Sequence, residues 1–168
     1  MKQSHALHFV TGAAGVGKST FGRRLAAEVQ AVLLDSDTVT EPVVRAGLTA
    51  AALDPEDRDS PVYKQHFRDA VYECLFQAAK ANLTHLPVIV IGPFTQELRD
   101  AGWPQKIEVR FGVQPIIWFL ECPDEIRRVR IERRGNPRDQ AKLFDWQNHV
   151  ATAPPAQPAF DVRRIDTS

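Results

Sequence analysis

Short apolar runs alternate along this chain with longer stretches that are apolar on one side only. Leu7–Val10, Ala31–Asp35, Pro87–Ile91 and Pro115–Leu120 read as strands, and the last two are unbroken enough to be buried on both faces. Phe160–Asp166 alternates and reads as a final strand at an edge. Between them lie helical patterns. Thr20–Gln30 places Phe21, Leu25, Ala26 and Val29 on one side, and Pro61–Asn82 does the same with Phe67, Val71, Leu75 and Ala78. Thr38–Leu53 is helical in character, with room for a break around Pro42 and Gly47. Thr95–Asp100 and Pro104–Phe111 are shorter elements, while Asp124–Arg134 and Asp139–Val150 are helices separated by Gly135-Asn136-Pro137. Strands alternating with helices predict an α/β fold: a five-stranded, mostly parallel sheet in a three-layer α/β/α sandwich with right-handed crossovers.

The first strand runs into Gly12-Ala13-Ala14-Gly15-Val16-Gly17-Lys18-Ser19-Thr20. A glycine, four free positions, then Gly-Lys-Ser is the phosphate-loop pattern, here set between a strand and a helix. The glycines let consecutive N–H groups point at one anion, and the following helix adds its positive end. Lys18 supplies a cation for the β- and γ-phosphates, and the Ser19 hydroxyl a ligand for Mg²⁺. The pattern therefore predicts binding of a nucleoside triphosphate, with ATP and Mg²⁺ the expected cofactors.

Composition narrows the setting. The 168 residues suit a single domain, 1–168, and 21 basic residues balance 21 acidic ones, so no broad nucleic-acid or membrane surface is expected. Cys74 and Cys122 lack metal-ligand spacing, and Met1–His8 is too short and polar for a signal peptide; a reduced, cytoplasmic setting is the expectation. His5, His8, His85 and His149 are scattered and carry no metal pattern. Ala153–Pro158 is the nearest approach to a linker.

Three further constellations carry chemistry. Asp35 and Asp37 fall at the C-terminal end of the second strand, the edge that faces ligand in open α/β sheets. Such a carboxylate can orient an acceptor hydroxyl, take its proton, or support Mg²⁺; alternatively Asp37 caps the next helix. Arg127, Arg128, Arg130, Arg133, Arg134 and Arg138 form an arginine-rich segment, within which Arg127, Arg130 and Arg134 share a helix side. Arginines on a closing segment stabilise the charge of a transferring phosphoryl group, and Arg130, Arg134 and Arg138 are the candidates, within a lid spanning about 124–150. Arg68, beside Tyr63, His66 and Tyr72, and Thr95, in Gly92-Pro93-Phe94-Thr95-Gln96, are candidates for holding the acceptor together with Asp35.

With these residues in place the chain resembles the small P-loop kinases, in particular the AAA-type ATP-binding proteins grouped with zeta toxins, chloramphenicol phosphotransferases and polynucleotide kinases. The resemblance rests on Gly12–Thr20, Leu34–Asp37, Val90–Phe94 and Arg133–Asp139 running into Lys142–Trp146. It implies strand order 2-3-1-4-5, an arginine-bearing lid, and the role of base for Asp37. Two departures matter. Gly92 stands at the strand tip where many relatives carry an aspartate that supports the metal, leaving that task to Ser19 with Asp35 and Asp37, or else to Glu121. Thr40 stands where an arginine commonly follows the base, which argues against a polynucleotide acceptor. The expected activity is transfer of the ATP γ-phosphoryl to a small hydroxyl-bearing acceptor by a monomer or homodimer. Alternatives are a nucleotide-dependent ATPase or switch without an acceptor, and a toxin-type kinase. No Asn-Lys-x-Asp segment is present to read guanine.

Overall fold

The computed structural model of the chain describes residues 5–152 and 154–168; Met1–Ser4 and Ala153, parts of the N-terminal and proline-rich stretches, lie outside the described residues. Five strands form one sheet in the order β2-β3-β1-β4-β5, every pair parallel. They are β1 (Leu7–Gly12), β2 (Val32–Asp35), β3 (Val88–Ile91), β4 (Pro115–Glu121) and β5 (Arg163–Asp166). The parallel sheet and its strand order follow the expectation. The central strand β1 is buried throughout, and Phe9 sits between Val90 and Ile117 in register.

Alternation along β1 splits the core into two layers. Leu7 and Phe9 join a cluster that includes Leu75, Phe76, Phe94, Trp103 and Phe119. Phe9 makes edge-to-face contacts with Phe94 at 5.4 Å and Trp103 at 5.1 Å, the geometry that aromatic quadrupoles favour. Val10 joins Val16, Leu25, Ile89, Ile91 and Leu120 on the opposite face, against α1 (Lys18–Val29).

Five elements differ from the sequence expectation, and in two of them the local reason is plain. The Thr38–Leu53 helix starts earlier and, at the break allowed for near Pro42, divides into α2 (Ser36–Val39) and α3 (Glu41–Ala50). Asp35, rather than Asp37, is the cap: its Oδ1 accepts from the Asp37 N–H at 3.1 Å. Pro42, which has no N–H to give, sits in the first turn of α3, so the division falls just before it. The Pro61–Asn82 helix is α4 (Pro61–Tyr63) and α5 (Asp69–Asn82) joined by a π-helical turn at Lys64–Arg68. Thr95–Asp100 reduces to a 3₁₀ turn at Glu97–Arg99, ahead of α6 (Trp103–Phe111). After α7 (Asp124–Arg134) and a 3₁₀ turn at Pro137–Asp139, the Asp139–Val150 helix becomes α8 (Gln140–Phe144) and α9 (Trp146–Thr152). Asp145 breaks it by leaving helical geometry and accepting the Asn148 N–H at 3.2 Å on its side chain. β5 also begins three residues after the expected Phe160. No helix among the described residues is long and apolar enough to cross a membrane.

His8 occupies an interior position on β1, and Trp118 Nε1 donates to its Nδ1 at 3.1 Å. Burial, helped by the Arg163 charge, pushes the imidazole pKa below its ordinary value. The folded state thus disfavours the proton that the unfolded chain accepts near pH 6.5. Stability from this contact is complete above that pH and declines as the pH falls towards the lowered folded value. His8→Gln, which keeps an acceptor for Trp118, should flatten that limb when urea midpoints are compared between pH 5 and 8.

Candidate active site

The loop between β1 and α1 is built by glycines in conformations that other residues rarely adopt. Gly12 has φ +139°, Gly15 +79° and Gly17 +96°. A Cβ on Gly12 would stand 2.4 Å from the Leu120 carbonyl oxygen, and one on Gly15 would stand 2.7 Å from that of Arg127. β4 and α7 therefore press directly on the loop backbone.

Lys18 is half-buried and donates from Nζ to the Gly12 and Ala13 carbonyl oxygens, 2.9 Å each. Burial lowers its pKa to about 8, against the opposing pull of the Asp37 carboxylate. Ser19 Oγ donates to Asp35 Oδ2 at 2.6 Å. Asp35 is buried, with 7% of its surface exposed, and its two oxygens hold Ser19 and the start of α2. Asp35 thus fixes the Ser19 hydroxyl and the position of Asp37 at once. Asp37 keeps 57% of its side chain exposed.

The arginines of α7 divide into different tasks. Arg127 is 3% exposed; its Nε donates to the Ala14 carbonyl at 2.9 Å, its Nη1 pairs with Asp124, and its guanidinium lies 5.5 Å from the Trp146 ring centroid. It therefore ties the loop to α7 and α9. Arg130 donates to the Thr167 hydroxyl at 3.2 Å and to the Thr167 carbonyl, and reaches the Val16 carbonyl at 3.4 Å. This candidate phosphate ligand has its guanidinium engaged with the end of β5 and the loop backbone, because Thr167 offers it two oxygens. Arg134 donates to Asp139, a fully buried carboxylate, at 2.7 Å. Arg138 pairs with Asp37 at 2.7 Å and lies 3.6 Å from Glu41.

Two cavities open from this centre. One, of 720 Å³, is lined by Gly15–Phe21 positions of loop and helix, among them Gly17, Lys18 and Thr20, by Arg130, and by Ile165–Ser168 at the other wall. The second, of 610 Å³, includes Gly12, Ala13, Ala14, Asp35, Tyr63 and Thr95 in its lining. Lys18, Ser19, Asp37 and Arg134 line both. Val16 turns inward and is core.

Arg68 reaches the second cavity, but it is engaged: both of its shortest bonds go to Glu97, at 2.6 and 2.8 Å, and it lies over the Tyr72 ring at 4.7 Å. The Tyr72 hydroxyl accepts the Phe94 N–H at 3.2 Å, and burial, then the Glu97 charge, push its pKa well up. Phe94 itself holds φ +42°, a left-handed conformation costly for an aromatic residue. Thr95 is exposed at the rim.

Sequence reasoning missed Arg127 as an anchor of the loop, although its helix side was legible. It also missed Glu41, Arg58 and Glu97. Arg58 bonds Glu41 at 2.8 Å across a separation of 17 residues, and Arg68 bonds Glu97 across 29, spacings that carry no local signal.

A family model described as an AAA domain matches residues 7–154. The chain belongs to this AAA-domain family. Solved structures with the fold of this AAA domain include a protein of Chloroflexus aurantiacus assigned as a candidate kinase, with TM-score 0.70 at 19% identity over 99% of this chain and 90% of that one. The APS kinase CysC of Mycobacterium tuberculosis, solved with AMPPNP and APS, gives TM-score 0.59 at 18% identity, covering 98% and 90%. A gluconokinase from Sinorhizobium meliloti gives 0.56 at 14%, covering 100% and 85%. At these identities the likeness establishes the P-loop fold. No curated protein matches this chain at a significant level.

Proposed function

We propose that the chain is an ATP-dependent phosphotransferase that moves the γ-phosphoryl group to a hydroxyl of a small acceptor. The observation that carries this reading is the meeting of two cavities at Lys18, Ser19, Asp37 and Arg134. A donor and an acceptor held on either side face each other across a cation, a hydroxyl, a carboxylate and a guanidinium, the groups that in-line phosphoryl transfer uses.

The 720 Å³ cavity takes ATP, with the amides from Ala13 to Thr20 and Lys18 around its phosphates. The donor set at Ser19 consists of oxygens, its hydroxyl bonded to the Asp35 carboxylate, and oxygen is what Mg²⁺ selects. Ser19, supported by Asp35, would hold the ion, which when bound neutralises charge on the β- and γ-phosphates. Asp35 thus serves the metal side of the site rather than the acceptor. Asp37, exposed to both cavities, accepts the acceptor proton. Arg134, held by Asp139, and Arg138, held against Asp37, meet the transferring phosphoryl from the lid, residues 124–150. Arg130 acts at one remove by fixing the β5 end as a wall of the nucleotide cavity.

The test follows the γ-phosphate. Incubation with γ-labelled ATP, Mg²⁺ and pooled hydroxyl compounds should label an organic acceptor faster than it releases inorganic phosphate. Release to water alone, at a rate indifferent to every pool, would instead support a nucleotide-dependent switch.

A further inference from the structure

The second cavity carries its charges in pairs. Arg58 holds Glu41 at 2.8 Å, Arg68 holds Glu97 at 2.6 Å, and Arg138 holds Asp37 at 2.7 Å. Lys142 adds a fourth contact, 3.1 Å from Asp59. All four cations line the cavity together with Asp37, Glu41 and Asp59, Glu97 holds Arg68 from behind that lining, and Arg134 is paired with Asp139 in the same wall. The three guanidiniums have only 13–14% of their side-chain surface exposed. The guanidiniums are therefore enclosed and satisfied, and Glu41 and Glu97 are covered with them, while Asp37 and Asp59 face the open side of the cavity.

Such a lining selects by chemistry. An anionic acceptor would have to evict a seated carboxylate to reach Arg58, Arg68 or Arg138, and would lie beside Asp37, Glu41 and Asp59. A cationic acceptor meets the same obstacle at the guanidiniums. A hydroxyl both donates and accepts, so it can bond the carboxylate and the guanidinium of one pair without separating them. Neighbouring hydroxyls fit a row of pairs.

The π-turn contributes a second observation. Tyr63 and Arg68 are five residues apart, a spacing that in an uninterrupted α-helix turns them about 140° from each other. The π-helical stretch Lys64–Arg68 widens the repeat, and Tyr63, Arg68 and Tyr72 all line the cavity. Such turns concentrate at functional sites. The two tyrosine rings add apolar surface to a wall of paired charge, which suits a ligand with C–H faces between its hydroxyls. Lys64 and Arg99 also line the cavity, but both are exposed, and water screens them.

We propose that the acceptor is an uncharged polyol, a sugar or sugar alcohol with adjacent hydroxyls. This rests on the phosphotransfer reading above. One polyol oxygen bonds to the γ-phosphorus of ATP as the bond from that phosphorus to the ADP oxygen breaks; the hydroxyl proton passes to Asp37, and ADP leaves.

The full chain is tested with γ-labelled ATP and Mg²⁺ against three pools: neutral sugars and sugar alcohols, hydroxy acids and sugar phosphates, and amino sugars. Label should enter the neutral pool with kcat/KM at least about tenfold above the other two. Label entering chiefly the acidic or amino pool overturns the polyol assignment and leaves phosphotransfer standing. Label appearing only as inorganic phosphate overturns phosphotransfer, and the polyol with it. Glu97→Gln, which unbalances the Arg68 pair, should raise KM for the polyol about tenfold with kcat within about twofold, and should improve the acidic pool. Asp59→Asn, at an exposed position, makes the same comparison for Lys142. Unchanged KM and unchanged pool preference in both variants would overturn recognition by the pairs.

Discussion

Asp37→Asn should lower kcat for phosphoryl transfer about a thousandfold, within the range expected for loss of a positioned general base. The substitution removes the proposed proton acceptor at the junction of the two cavities and little else. Asp37 makes its side-chain bond to Arg138, at an exposed position, so loss of the pair should change stability by less than about 1 kcal/mol. ATP affinity should stay within about threefold, because Lys18 and the loop amides are untouched. Single-turnover transfer combined with nucleotide titration separates the two effects. Transfer at the parent rate would remove Asp37 from the mechanism. Asp35→Asn is a useful contrast. Asp35 is buried and holds both Ser19 and the start of α2, so that variant should lose stability as well as rate.

The second large effect is structural. Gly12→Ala should destabilise the fold by about 3 kcal/mol, combining a backbone conformation that L-residues avoid with a forced shift of packed backbone. The added Cβ would lie 2.4 Å from the Leu120 carbonyl oxygen, which belongs to the neighbouring strand and cannot rotate away as a side-chain tip could. For a chain of this size the melting temperature should fall by about 9 °C. Any folded fraction should bind ATP poorly, since the Gly12 carbonyl is one of the two that seat Lys18. Thermal unfolding with and without ATP measures both consequences. A melting temperature equal to the parent's would mean that the loop tolerates a side chain there.

These two positions illustrate what the amino-acid order conveyed. The loop was legible because its glycines answer a local demand, positive φ, at a fixed short spacing. The strands were legible because a parallel sheet covered on both faces requires continuous apolar runs, as Val88–Ile91 supplies. Asp35 and Asp37 could be brought to the ligand edge, but their division of labour could not be read. That division depends on Ser19 reaching across from α1 to one of them. The arginine-rich segment was visible as a group, yet its members diverge through tertiary partners. Arg127 meets Ala14, Arg130 meets Thr167, and Arg138 meets Asp37, each across more than thirty residues of chain. The break before α3 follows from Pro42 and was legible there, whereas the one at Asp145 follows from a side chain that bonds the Asn148 N–H.

The clamp between Arg130 and Thr167 has a practical corollary for handling the protein. Ser168 lines the 720 Å³ cavity proposed for ATP, so any polypeptide continuing past it, including a laboratory affinity handle, would leave from that wall. A purification sequence fused there should weaken nucleotide capture, whereas one placed ahead of β1, which starts at the other end of the parallel strands, should be silent.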